Sequence, residues 1–258
     1  MILNCGNLGV NRRNYSFADM CPALKLRRKP PGAHRDRSVT FRIARILRDR
    51  YRDFAHHNKR NPLRELIFIV CSVQTQEASY RRTYRAMMAA FATATSLQTA
   101  SVRMIERLLA PGGLGAIKAR QLRAVFDAIA SRFGSLTLAP LKRMADNECE
   151  SFLTSLPGIG LKVARCIMLY SLGRQVFPVD THCWRIARRL GWVRATQEDR
   201  SRCAGADMDR LQAKIPPALR FSLHVNFVSL GREFCLPLSP RCESGCPLRR
   251  CCPRKLGA

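Results

Sequence analysis

The sequence predicts an all-α protein of about ten helices joined by short loops. From Phe41 onward, apolar residues recur every three or four positions, which is the spacing of one helix face. The alternation of Val, Ile and Thr between hairpin turns that marks β-strands is absent from the sequence. Hydrophobic residues make up 47% of the 258 residues, so the chain can bury a sizeable core.

The predicted elements follow one another along the chain after a basic tail. Residues 1–39 carry eight Lys or Arg against two Asp and show no period, so we expect a flexible tail there. The run at 66–70 is fully apolar and fits either a strand or a buried helix. Further helical stripes lie at 41–54, 122–133 (ended by Gly134), 163–172 and 184–190.

The charge of the chain predicts a polyanionic partner. There are 45 Lys and Arg against 18 Asp and Glu, a formal net charge of +27. A protein this basic most often binds nucleic acid and less often an acidic membrane surface. No apolar stretch is long enough to span a membrane, and the N-terminus lacks the apolar block of a secretion signal. We therefore expect an intracellular protein, of the bacterial cytoplasm or nucleoid rather than an organelle.

Five of the twelve cysteines are crowded near the C-terminus. Six residues separate Cys235 from Cys242, three separate Cys242 from Cys246, and five separate Cys246 from Cys252. Cys251 is an alternative last ligand. A terminal cluster in an intracellular chain indicates a metal site rather than a disulfide scaffold. Four such thiolates suit either a [4Fe–4S] cluster or a tetrahedral zinc ion, and the spacing leaves both open.

The segment at 156–164 predicts a helix–hairpin–helix. Gly158 and Gly160 follow a proline and are preceded by Leu156, with Ala164 four residues beyond the second glycine. Backbone amides at such a turn and at the next helix N-terminus can bind a DNA phosphate. An ordinary turn between two helices is the simpler interpretation of the two glycines alone.

Lys162 and Asp180 are the candidate catalytic residues. Lys162 lies in the first turn after the hairpin, where the helix terminus and burial would favour a neutral, nucleophilic amine. Contact with a phosphate is the simpler role for such a lysine. Asp180, in the sequence Val-Asp-Thr-His, is a favoured helix N-cap that could also face a cleft. We interpret His182 as structural.

Taken together and in this order, the four motifs resemble the endonuclease III family of base-excision DNA glycosylases in the helix–hairpin–helix superfamily. The resemblance covers roughly residues 40–252. It implies two helical subdomains that flank a DNA-binding cleft: a six-helix barrel at 55–174, and a second subdomain made of 40–54 with 175–258 that holds a [4Fe–4S] cluster.

The resemblance also implies roles for single residues. Lys162 matches the family's nucleophile and Asp180 its essential carboxylate. Gln74, within Ser-Val-Gln-Thr-Gln, matches a side chain that enters the DNA stack. Leu114 matches a second wedge, and Lys118 follows it as a DNA contact.

The sequence departs from the family pattern at three places. Three residues rather than two separate Cys242 from Cys246. Arg165 stands where Asn is common, and Leu161 replaces a common basic residue. Arg165 predicts altered contacts around the nucleophile, and together with Leu161 it predicts an unusual substrate preference. The extra residue in the cysteine loop would either be accommodated at Gly245 or weaken the cluster.

The activity implied is that of a monomeric bifunctional glycosylase and AP lyase. It would remove oxidised pyrimidines from double-stranded DNA through a lysine Schiff base, would act on abasic sites, and would have no membrane partner. The alternatives are a monofunctional mismatch glycosylase, whose branches usually lack the lysine, a non-catalytic DNA-binding protein, and a zinc-bound DNA protein.

Overall fold

The computed structural model describes residues 35–193, 203 and 205–253, with side-chain exposure from residue 39 onward. Within these ranges the regular structure is helical, and no β-strand is present. The predicted all-α class is therefore confirmed. The α-helices are α1 (Arg35–Tyr51), α2 (Pro62–Ser72), α3 (Glu77–Ala90), α4 (Ala94–Thr99), α5 (Val102–Leu109), α6 (Gly115–Phe133), α7 (Asp146–Ser155), α8 (Leu161–Leu172), α9 (Thr181–Arg189), α10 (Gly205–Lys214) and α11 (Arg220–Glu233).

Local sequence explains several helix ends. Asn61 caps α2 by accepting a hydrogen bond from the Arg64 N–H, and Pro62 occupies the first helical position. The apolar run at 66–70 lies inside α2 and is buried on every side, which resolves its ambiguity in favour of a buried helix. Gly134 ends α6 in the left-handed conformation, with φ +73°.

Two hydrophobic cores divide the described chain. The first is built by α2 to α8. The second is built by α1, α9, α10 and the C-terminal segment that carries the cysteines. Helix α11 contributes Leu223 and Phe227 to the second core and Phe221 and Val225 to the first. Because α11 serves both cores, it is buried around most of its circumference.

The division into two cores places a cleft between them.

Helix α1 begins at Arg35, so residues 35–39 of the predicted tail are helical, and the rest of that tail lies outside the described residues. The subdomain boundaries at 55–174 and 175–258 stay a prediction. No helix in the described ranges is long and apolar enough to cross a membrane.

Candidate active site

A cavity of about 550 Å³ lies where the two cores meet. Its walls come from α2 and the loop after it, from α8, from the segment that leads into α9, and from α11. Lys162, Asp180, His182 and Gln74, four of the residues singled out in the sequence, line this one cavity. The fold therefore brings together groups up to 108 positions apart in the sequence.

The hairpin before α8 has the geometry that the sequence predicts. Leu156 and Ile159 are buried and anchor the turn, whereas Gly158 and Gly160 are exposed. Gly158 has φ +70°, and a Cβ there would lie 2.8 Å from Nε2 of Gln121. The Gln121 amide donates a hydrogen bond to the Gly158 carbonyl oxygen at 3.0 Å. Gly160 caps α8 without a side-chain acceptor, so the first amides of α8 are available to an anion.

Asp180 is both a helix cap and a wall of the cavity. Its Oδ1 accepts a hydrogen bond from the Cys183 N–H at 2.7 Å, which starts α9. Burial acts to raise the pKa of this carboxyl, but His224, His182, the Cys183 N–H and Lys162 together lower it to about 2. The group is therefore a carboxylate at neutral pH, and its capping role leaves it facing the cavity.

Lys162 holds its proton in the free protein. The pKa of its ammonium is raised, first by Cys166 in its thiolate form and then by Asp180 and Glu65, while burial opposes them. Burial raises the pKa of Cys166 to about 12 and that of Glu65 to about 8, so both are largely protonated at pH 7. Asp180 is therefore the main anion that faces Lys162 at neutral pH. The amine must lose a proton before it can act as a nucleophile.

Glu65 is a buried carboxyl that interacts electrostatically with Lys162. Its side chain is fully buried, and the Lys59 N–H donates a hydrogen bond to its Oε2 at 2.5 Å. Its Oε1 is buried without a hydrogen-bond partner. An unpaired buried oxygen favours the protonated carboxyl, since a carboxylate there would lack solvation.

We expect the Glu65→Gln variant to keep its stability at alkaline pH, where the wild-type protein becomes less stable. A carboxyl whose pKa is raised on folding stabilises the fold below its ordinary pKa of 4.5, and this contribution disappears as the pH rises towards about 8. At about 1.4 kcal/mol per pKa unit, wild type should lose about 4 kcal/mol relative to the variant between pH 5 and 8.5. Denaturant unfolding at the two pH values measures this difference. Glu148→Gln, at an exposed capping residue, is the control, and parallel pH curves for wild type and Glu65→Gln would contradict the assignment.

Arg165 is held by two carboxylates, which explains how a second cation is tolerated near Lys162. Its guanidinium is 3% exposed and forms ion pairs with Glu150 of α7, at 2.8 Å, and with Asp209 of α10. Two carboxylates therefore neutralise the extra charge that the sequence places near Lys162. The ion pair with Asp209 also connects α8 of the first core to α10 of the second.

Gln74 and Leu114 project from two loops that are tied together. Both side chains are exposed, and both residues adopt positive φ, 49° for Gln74 and 55° for Leu114. Thr75 Oγ1 donates a hydrogen bond to the Gly112 carbonyl at 2.7 Å, which joins the first loop to the second. The loops therefore present a polar and an apolar side chain from one connected unit.

Lys118 differs from the expectation of a direct DNA contact. It is 3% exposed, and its Nζ donates to the Cys71 carbonyl at 3.0 Å and to Thr75 Oγ1 at 2.7 Å. The ammonium is enclosed by these acceptors rather than presented to a phosphate. Lys118 therefore fixes the loop that carries Gln74.

Several residues that line the cavity were not predicted from the sequence. His56, Asn58, His224 and Arg232 contribute polar groups to its walls. Arg232 also donates to Glu77 Oε2 at 2.8 Å, which connects α11 to the start of α3. No sequence pattern singles out His224 or Arg232, because their helix also carries Ser222, Asn226 and Ser229.

The C-terminal cysteines lie close to one another. Burial raises the pKa of Cys246 to about 11, and the neighbouring sulfurs of Cys242, Cys235 and Cys252 act in the same direction. Arg189 Nη1 donates to the Cys235 sulfur at 3.0 Å. Raised pKa values leave Cys246 a thiol at neutral pH, and a metal centre would have to displace its proton.

A zinc ion and a [4Fe–4S] cluster require different positions of the four sulfurs. Within residues 35–193, 203 and 205–253, no three His, Cys, Asp or Glu side chains are placed to hold a single metal ion. A zinc ion would draw four sulfurs to about 2.3 Å from one atom. In a [4Fe–4S] cluster each thiolate binds a different iron, so the sulfurs stand farther apart.

Comparison with known proteins agrees with this architecture. Residues 67–204 match the model of the HhH-GPD superfamily base excision DNA repair proteins. The chain is 26% identical over 197 residues to Endonuclease III of Thermotoga maritima, covering 76% of this chain and 85% of that protein. It is 27% identical over 169 residues to DNA glycosylase/AP lyase ROS1 of Arabidopsis thaliana, covering 61% of this chain and 12% of that protein.

The chain spans only part of some relatives, and it shares its fold with a solved structure. The chain spans 55% of one Arabidopsis thaliana relative, 30% identical over 167 residues, and 13% of another, DEMETER-like protein 2. Among solved structures, an Endonuclease III in a non-covalent complex with DNA has the same fold, with a TM-score of 0.70 at 23% identity over 86% of this chain and 96% of that one. The family model matches more than half of the chain, and the chain belongs to the HhH-GPD superfamily of base excision DNA repair proteins.

Proposed function

We propose that this protein is a bifunctional DNA glycosylase and AP lyase that acts on duplex DNA through a Schiff base on Lys162. The observation that carries the proposal is the position of Lys162. It lies in the first turn after the helix–hairpin–helix and shares a cavity with the Asp180 carboxylate. The name of the ROS1 relative pairs the same two activities. A damaged base, by preference an oxidised pyrimidine, is the proposed substrate.

The proposed substrate must leave the helix to reach Lys162. A flipped nucleotide costs a few kcal/mol in lost stacking and pairing. The exposed side chains of Gln74 and Leu114 would occupy the space it leaves, and the amides around Gly158 and Gly160 would hold a backbone phosphate. The basic surface supplies the remaining, sequence-independent affinity.

The chemistry then follows from the charges in the cavity. The Asp180 carboxylate accepts a proton from Lys162 and passes it to the departing base, and Nζ bonds to C1′ as the bond from C1′ to the base breaks. The base leaves with the electron pair and takes up a proton. Opening of the sugar at O4′ gives a protonated Schiff base, which the Asp180 carboxylate stabilises. Loss of a C2′ proton expels the 3′ phosphate, and water releases Lys162.

The cysteine loop fits a bound [4Fe–4S] cluster. Cys235, Cys242, Cys246 and Cys252 would hold it, with Cys251 as the alternative last ligand. Such a cluster supplies a fixed centre around which a loop can fold. Arg249 and Arg250 are part of this cysteine-containing segment, and Arg249 forms an ion pair with Glu243.

Borohydride trapping tests the proposed function. Duplex DNA containing thymine glycol, and separately an abasic site, is incubated with the full chain and borohydride. Wild type should form a covalent adduct with both, Lys162→Ala should form none, and Lys142→Ala, at an exposed lysine, should match wild type. Trapping on abasic DNA alone would support the lyase and overturn thymine glycol as substrate.

The alternatives give different results in the same assay. Base release without an adduct would indicate a monofunctional glycosylase. DNA binding with neither release nor adduct, from folded protein, would indicate a non-catalytic DNA-binding protein. Either result would overturn the bifunctional assignment.

A further inference from the structure

His224 of α11 lies buried between the helix that carries Lys162 and the segment that carries Asp180. Its side chain is 2% exposed and lines the cavity. Its Nδ1 is 3.0 Å from the Pro178 carbonyl oxygen and 3.4 Å from the Cys183 sulfur. Pro178 lies two residues before Asp180, and Cys183 donates its N–H to the Asp180 carboxylate. One imidazole nitrogen therefore contacts both sides of the turn that presents Asp180.

The carbonyl partner fixes the tautomer of this imidazole. A carbonyl oxygen only accepts hydrogen bonds, so Nδ1 carries the hydrogen and donates it to Pro178. Burial lowers the pKa of His224 to about 4, so the ring is neutral at pH 7 and this tautomer persists. His224 thus acts through a directional hydrogen bond, and it brings no additional charge to the site at neutral pH.

Two aromatic rings fix the orientation of His224. The Tyr170 ring lies 5.6 Å away at 64°, and the Phe177 ring lies 5.9 Å away at 90°, both edge-on. Tyr170 is in α8, eight residues after Lys162 and on the same helix face. Phe177 lies three residues before Asp180. The His224 ring therefore packs against α8, which carries Lys162, and against the segment that carries Asp180.

We propose that His224 is a positioning residue that sets the distance between Lys162 and Asp180. This inference rests on the proposed function, because that distance matters only if the two groups act together. The hydrogen bond to Pro178 holds the turn, and the contact with Tyr170 holds the turn against α8. A displacement of about 1 Å at a reacting centre can lower a rate about 100-fold, so a group that fixes such a distance has a large indirect effect.

Two substitutions separate the hydrogen bond from the packing. His224→Phe keeps an aromatic ring and removes the donor, whereas His224→Asn keeps a donor near the position of Nδ1 and removes the ring. His57→Asn, at an exposed histidine with φ 65°, is the matched control and should behave as wild type, since Asn tolerates this conformation. Thermal unfolding and titration of active sites give the folded fraction of each variant.

The expected result is a change in the rate constant with little change in DNA affinity. Under saturating DNA, His224→Phe should lower the rate of base excision about 10- to 100-fold with KM within about 2-fold of wild type. His224→Asn should recover most of that loss. A wild-type rate in His224→Phe, or a loss that disappears after correction for the folded fraction, would overturn the inference.

Structures of the variants separate failure of this inference from failure of the proposed function. Absence of any wild-type adduct would overturn the proposed function. In crystal structures, His224→Phe should move the Asp180 carboxylate relative to Lys162, and His224→Asn should keep it in place. An unmoved Asp180 in His224→Phe would overturn the positioning role, whatever the activity of the protein.

Discussion

Asp180→Asn is expected to lower the single-turnover rate of base excision by about 10²- to 10⁴-fold while the fold is retained. The carboxyl group is ionised at neutral pH because its pKa is held at about 2. The amide has no charge with which to stabilise the cationic sugar or the Schiff base. Asn caps helices about as well as Asp, so the hydrogen bond to the Cys183 N–H that starts α9 can be kept.

The comparison with alanine separates catalysis from capping. Asp180→Ala should lose the same rate and also destabilise the protein by about 1 kcal/mol, since the cap of α9 disappears. Rapid-quench measurement of base release, with denaturant unfolding of the same samples, gives both quantities. If Asp180→Asn kept wild-type rates, Asp180 would be a structural cap and the proposed mechanism would be wrong.

Gly231→Ala is expected to destabilise the protein by about 1–3 kcal/mol. In an open helix this change usually stabilises, because Gly is about 1 kcal/mol less favourable than Ala. In α11, however, a Cβ at residue 231 would lie 2.4 Å from Nδ1 and 2.7 Å from Cβ of His182. His182 follows Asp180 by two residues, so relief of this overlap would also disturb the site. We expect the rate of base excision to fall together with the stability.

A double substitution tests the cause of that effect. If the overlap with His182 is responsible, Gly231→Ala should cost little when it is introduced into a His182→Ala background. Denaturant unfolding of the four proteins of the cycle gives the coupling energy between the two positions. A Gly231→Ala protein as stable as wild type would show that α11 and α9 can separate without cost.

The sequence predicted four of the residues that line the cavity, Gln74, Lys162, Asp180 and His182, but not their charge states. The hairpin at Gly158 and Gly160 and the cap at Asp180 are local features, each determined within about four residues of chain, and they were readable from residue types. Lys162 was expected to tend towards a neutral amine from its place in the first turn of a helix. The pKa of its ammonium is instead raised, first by Cys166 in its thiolate form and then by Asp180, so the proton is retained.

Residues with distant partners were predicted least well. Lys118 was expected to contact DNA, but it is enclosed by Cys71 and Thr75, 47 and 43 positions away. Arg165 was expected to alter the surroundings of Lys162, and it is directed to Glu150 and Asp209 instead. His224 carried no sequence pattern, since its partner Pro178 lies 46 positions away.

The sequence by itself determined the helical class, the hairpin, the cap of α9 and the grouping of cysteines, because periodicity, turns and caps depend on neighbouring residues. Tertiary structure alone decided which groups share the cavity, which carboxyl is ionised and which cations are neutralised. Glu65 is the clearest example: its type and position suggest an ordinary charged residue, yet burial raises its pKa to about 8. Charge states depend on burial and on partners brought from distant parts of the chain, and these exist only after folding.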